Sequence, residues 1–101
     1  MKAIIKGRKY NTDTARLVAQ DSNNLSWRDY RCYVEGLYRK KTGEFFLYGE
    51  GGPASKYRVK CGDCWAAGEQ IIPLTAEKAR EWIEQNCSVE TYEELFGEVE
   101  E

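Results

Sequence analysis

The fold turns on the stretch from Tyr30 to Tyr48, YRCYVEGLYRKKTGEFFLY. Residues Tyr30 to Lys40 read as one extended strand. Cys32, Val34, Gly36 and Tyr38 fall on one side of it, and Tyr33, Glu35, Leu37 and Arg39 on the other. Lys40-Lys41-Thr42-Gly43-Glu44 then has the length and the glycine of a hairpin loop. Phe45-Phe46-Leu47-Tyr48 returns as an unbroken apolar run. Such a run predicts a strand covered on both faces, at the centre of an antiparallel sheet.

Upstream, Lys2 to Tyr10 reads as a strand with Gly7 as a bulge or tight turn, and Ala15 to Gln20 as another. A polar loop surrounds Trp27. Downstream, Gly49-Glu50-Gly51-Gly52-Pro53 breaks the pattern. It reads either as a sharp bend needing positive φ or as backbone N–H groups left accessible to a partner. Lys56 to Cys61 resumes as a strand, Gly62 to Gly68 is a loop, and Gln70 to Leu74 is a short strand that Pro73 confines to an edge. Thr75 is an N-cap for a helix whose apolar stripe is Ala76, Ala79, Trp82 and Ile83. Ser88 caps a second helix, with Val89, Tyr92, Leu95 and Phe96 on one side and Gly97 at its end. The expected fold is α+β: a small antiparallel sheet of four or five strands with two C-terminal helices packed on one face. Residues 1–97 form the single domain and 98–101 a frayed acidic tail.

The chain has 101 residues, enough for one domain. Its 13% aromatic content is rich for a polar chain and argues against disorder. No apolar run approaches the roughly 20 residues of a membrane span. The start, Met1-Lys2-Ala3-Ile4-Ile5-Lys6, lacks a signal-type apolar stretch. A cytoplasmic protein with four free thiols is therefore expected. The net charge of −2 is unevenly spread: residues 77–101 hold nine Glu against Lys78 and Arg80. Solvated helix and strand surfaces explain such a split first, and two partner surfaces second.

There is no histidine, which removes His-based catalysis and His-based metal sites. The glycine loop lacks the Gly-Lys-Ser/Thr ending of a phosphate-binding P-loop. Cys61-Gly62-Asp63-Cys64 is a weak metal candidate, because a zinc site would need the isolated Cys32 and Cys87 to complete it. No catalytic residue, metal or cofactor is expected. Basic and aromatic residues interleave in three clusters: Trp27, Arg28, Tyr30, Arg31 and Tyr33; Arg39, Lys40 and Lys41; and Lys56, Tyr57, Arg58 and Lys60. That pairing suits single-stranded nucleic acid, although a pI near 5.3 runs against a dedicated nucleic-acid binder.

The run Leu37 to Pro53 with Ser55-Lys56-Tyr57, the segment Ile71 to Thr75 leading into Lys78 to Trp82, the ending Tyr92 to Gly97 and the opening Gly7 to Ala15 together resemble a family of small proteins of Gram-positive bacteria and their phages, plasmids and integrated elements. The resemblance covers most of the chain, though not the C-x-x-C. It implies a stand-alone domain encoded on mobile DNA, and for some similar proteins anti-CRISPR activity against Cas9-type effectors. The expected function is a non-enzymatic regulatory protein that binds another protein, a Cas9-type or other host defence nuclease, with the Glu-rich tail (Glu93, Glu94, Glu98) occupying a basic channel. The alternative is a nucleic-acid-binding regulator using the Arg39–Lys41 hairpin and the Lys56–Lys60 segment. Gly51, Gly52, Lys56, Tyr57 and Arg58 complete the candidate contact residues.

Overall fold

The structure, a computed structural model, describes residues 1–97; the expected tail and Glu98 lie outside them. Four strands form the main sheet: β3 (Arg16–Ser22), β4 (Tyr33–Arg39), β5 (Phe45–Gly51) and β8 (Gly68–Leu74), antiparallel in the order β3-β4-β5-β8. Two further hairpins are not hydrogen-bonded into it: β1 (Lys2–Ile5) with β2 (Arg8–Asn11), and β6 (Val59–Cys61) with β7 (Cys64–Ala66). The helices α1 (Ala76–Asn86) and α2 (Val89–Phe96) follow. The α+β fold is as the sequence predicts.

The alternation in β4 and the apolar run in β5 place two cores on opposite faces of the sheet. Leu37, Phe45 and Leu47 pack against Ala79 and Ile83 of α1, with Tyr92, Leu95 and Phe96 of α2 alongside. Phe46 and Ile71 pack on the other face against Tyr10 of the first hairpin. Leu37, Phe46 and Ile83 are fully buried, and each such side chain stabilises the fold by about 1.5–3 kcal/mol relative to exposure. Phe46 is wedged between Tyr38, stacked at 5.2 Å, and Tyr10, edge-on at 5.5 Å.

Several boundaries differ from the sequence reading. Lys2 to Tyr10 is a hairpin and not one strand, because Lys6 and Gly7 both take positive φ (52° and 79°) and turn the chain tightly. β4 starts at Tyr33, since Asp29 organises the residues before it: its carboxylate accepts from the Arg31 backbone (2.8 Å) and side chain, and its carbonyl accepts from Cys32 N–H. Residues 49–51 do not break the sheet; β5 runs through Gly51. None of Gly49, Gly51 and Gly52 has positive φ. They are glycines because other parts of the chain lie where a Cβ would be: the Tyr57 ring at Gly49, the Ser55 hydroxyl at Gly51 and the Tyr30 carbonyl at Gly52. Strand structure after this point is shorter than expected at Val59–Cys61, and the expected Gly62–Gly68 loop contains β7. Gly62, with φ of 60°, makes the turn between them. β8 lies at the sheet edge, as Pro73 requires.

Candidate functional site

The first hairpin covers only one end of the face it packs on. Toward the other end the floor of the sheet is bare, and two adjoining grooves of about 510 and 590 Å³ cross it, sharing Val34 and Glu50. Gly36 keeps the floor low; a Cβ there would crowd Leu17 and Tyr38 at about 3 Å. Trp27, 82% exposed, stands at the rim, with Tyr33 near it. The charged lining residues are Asp21, Glu35, Glu50 and Glu69, with no Lys or Arg among them.

Glu50 and Glu69 are the centre of this site. They sit directly opposite each other across the β5–β8 ladder, so both carboxylates emerge on one face. Like charges in that relation repel. The hydroxyl of Tyr48 lies within hydrogen-bonding distance of both, 3.0 Å from Glu50. A phenol has one hydrogen to donate, so one carboxylate is served and the other is not. Burial, and then its hydrogen bonds to Glu69 and Glu50, hold the Tyr48 phenol well above its ordinary pKa. Among the described residues no Lys or Arg pairs with Glu50 or Glu69. The site offers two carboxylates beside an exposed indole ring, the chemistry that receives an ammonium or guanidinium group.

Asp21 lines the groove by position only, since it shares a face with its cross-strand partner Glu35, and the Glu35 carboxylate is engaged elsewhere. It is buried on the helix side of the sheet, accepting from the Tyr57 hydroxyl and pairing with Lys56 at 3.0 Å. Burial and the hydrogen bond to Glu35 push the Tyr57 phenol far above its ordinary value.

The candidate contact residues named from the sequence fall in three places among the described residues. Gly51, Gly52, Lys56, Tyr57 and Arg58 lie at the groove end of the sheet. There Tyr57 is buried, Lys56 is paired with Glu35 and lies 4.5 Å from the Tyr33 ring, and Arg58 stacks on Trp65 at 4.3 Å. Arg39, Lys40 and Lys41 lie at the opposite end, a full strand length away, about 20 Å at the rise of an extended chain. The basic hairpin and the Lys56–Lys60 segment are therefore separated by the length of the sheet. Glu93 and Glu94 are exposed on α2. Cys61 and Cys64 face each other across the β6–β7 turn, but Cys32 and Cys87 do not join them: among the described residues no three metal-ligating side chains converge. Cys87 instead packs beside the helix core, where burial and then the charge of Asp21 raise its thiol pKa.

Glu50 and Glu69 escaped the sequence reading because their meeting depends on β5 pairing with β8, across 16 intervening residues (52–67) that carry no periodic signal of that partnership. No family model, curated protein or solved structure matches the chain.

Proposed function

We propose that this chain is a non-enzymatic binding protein whose working surface is the acidic, aromatic-rimmed groove, and that it takes a cationic segment of a partner protein. The cross-strand pair Glu50–Glu69, two like charges sharing one phenolic hydrogen, carries this reading. A Lys or Arg side chain laid along the groove relieves their repulsion, and Trp27, over which Arg28 lies at 5.3 Å, is exposed enough to offer its other face. Segments of that kind are what nucleic-acid enzymes use to hold phosphate. A host defence nuclease, the partner that the family resemblance implies, fits this chemistry. In this version the groove, not the acidic tail, makes the contact.

Titration with an arginine-rich peptide, followed by calorimetry, tests the proposal. Glu50→Gln with Glu69→Gln should weaken binding by roughly tenfold or more, the size of one or two charge-assisted hydrogen bonds. Glu93→Gln with Glu94→Gln should leave it unchanged. Loss in the second variant alone would return the contact to the helical tail.

A further inference from the structure

The end of the sheet remote from the groove carries a second, opposite site. Residues 1–16 and 39–44 hold eight Lys and Arg against Asp13 and Glu44, in a chain whose net charge is −2. The topology gathers both segments at one place: the tip of the β4–β5 hairpin, the start of β3 and the first hairpin. Two adjoining clefts of about 200 and 300 Å³ lie there. The charged residues lining them are Lys9, Arg16, Arg39, Lys40 and Lys41, with no carboxylate.

These cations differ in what they already do. Lys40 is committed, with its ammonium 2.8 Å from Glu44 and 3.8 Å from the centre of the Tyr10 ring. Glu44 is committed with it, and also accepts from Arg8; the hydrogen bond from Lys40 and then the charge of Arg8 hold its carboxyl below the ordinary range. Arg16 and Arg39 are the opposite case. They are direct partners across the β3–β4 ladder, so their guanidinium groups leave the sheet on the same face. Neither pairs with a carboxylate among the described residues. Arg39 is held in place by the Phe45 ring, 5.3 Å away. Two like charges facing each other on neighbouring strands cost stability, and a shared anion between them reverses the sign of that term.

We propose that Arg16, Arg39 and Lys41, which line one cleft, form a binding site for the phosphodiester backbone of a nucleic acid. Paired guanidinium groups match phosphate oxygens in bidentate geometry. Phe45 is buried and capped by Arg39, and Tyr10 is buried beneath Lys40, so the cleft offers no free ring on which a base can stack. Contact is therefore with the backbone and is blind to sequence. This site is independent of the groove and does not need a protein partner there.

A fluorescently labelled DNA duplex of arbitrary sequence, titrated with the intact protein at rising salt, tests it. Binding should be the same for unrelated sequences. Log affinity should fall against log salt with a slope of about −3, for three phosphates neutralised. Arg16→Gln with Arg39→Gln should weaken binding by roughly tenfold or more. The same variant should unfold at a higher denaturant concentration than wild type in the absence of DNA, because the repulsion is gone; this measurement separates a binding loss from a folding loss. Arg28→Gln with Arg31→Gln, which removes equal charge at the other end, should leave affinity unchanged. Equal loss in both pairs would reduce the effect to net charge and overturn the site. Binding to anionic phospholipid vesicles with none to the duplex would overturn it as well.

Discussion

Tyr57 shows how one side chain closes the groove end of the sheet. Its ring occupies the space above Gly49, and its hydroxyl serves the buried Glu35 carboxylate, which Lys56 also approaches. The residue before it and the glycine beneath it are therefore parts of a single device. In the sequence, Gly49 stands out as exceptional, but for the wrong reason: glycine signals positive φ or close approach alike, and only the position of Tyr57 decides between them. Tyr57→Phe should cost about 1–3 kcal/mol at neutral pH, since it leaves a buried carboxylate short of a donor. The pH dependence has a fixed sign. The phenol titrates near 10.0 when unfolded and higher in the fold. Above that value the unfolded chain has lost a proton that the native chain keeps, so rising pH favours unfolding. Stability should decline through the alkaline range, and denaturant unfolding of Tyr57→Phe should show a shallower decline. An unchanged slope in the variant would rule Tyr57 out as a source.

The elements divide by how local their causes are. Both helices were legible because their signals are close in sequence. The Thr75 hydroxyl accepts from Lys78 N–H at 3.1 Å, the Ser88 hydroxyl from Thr91 N–H at 3.3 Å, and Gly97 ends α2 with φ of 86°. The β4–β5 hairpin was legible for the same reason. What followed Gly49 was not: β6 and β7 are three residues each, β6 is exposed throughout, and β8 finds its place only by pairing with β5. The two caps carry unequal weight. α1 buries Ala79 and Ile83 completely, whereas α2 buries no residue fully. Thr75→Ala should therefore lower global stability by about 1 kcal/mol. Ser88→Ala should instead loosen α2 locally, seen as faster amide exchange from residues 89–96 with a smaller change in the unfolding midpoint. Equal midpoint shifts would mean that α2 unfolds only with the whole domain.

Charge on the folded protein is arranged by end rather than by segment. The sequence divides into a basic first three quarters and an acidic last quarter, but the chain crosses the sheet repeatedly and redistributes that charge. Arg16 and Arg39, 23 positions apart in the sequence, meet at one end, and Glu50 and Glu69, 19 apart, meet at the other. No local rule brings either pair together; both are products of strand register. This is why the sequence named Arg39 and Lys41 as candidates but not Arg16, and named neither glutamate of the groove. The two sites lie about 20 Å apart along β5, beyond the roughly 10 Å over which salt screens surface charge. The two ends should therefore bind independently. A saturating arginine-rich peptide should leave the affinity for the DNA duplex within about twofold, measured at fixed salt with the peptide held below the level at which it binds the DNA itself. Displacement of the duplex would mean that both ligands use one surface.

The borders of the sheet restrict how any partner can approach. On one side β3 carries an irregularity between Leu17 and Ala19, which interrupts its even row of amides. On the other, β8 contains Pro73, which has no N–H to give. Neither border is a clean template for adding a strand, so recognition by β-augmentation is disfavoured, as is edge-to-edge zippering of one copy onto the next. A ligand is left with side chains at the two ends and on the bare face, where binding is read through charge and ring contact and can be altered without touching the backbone.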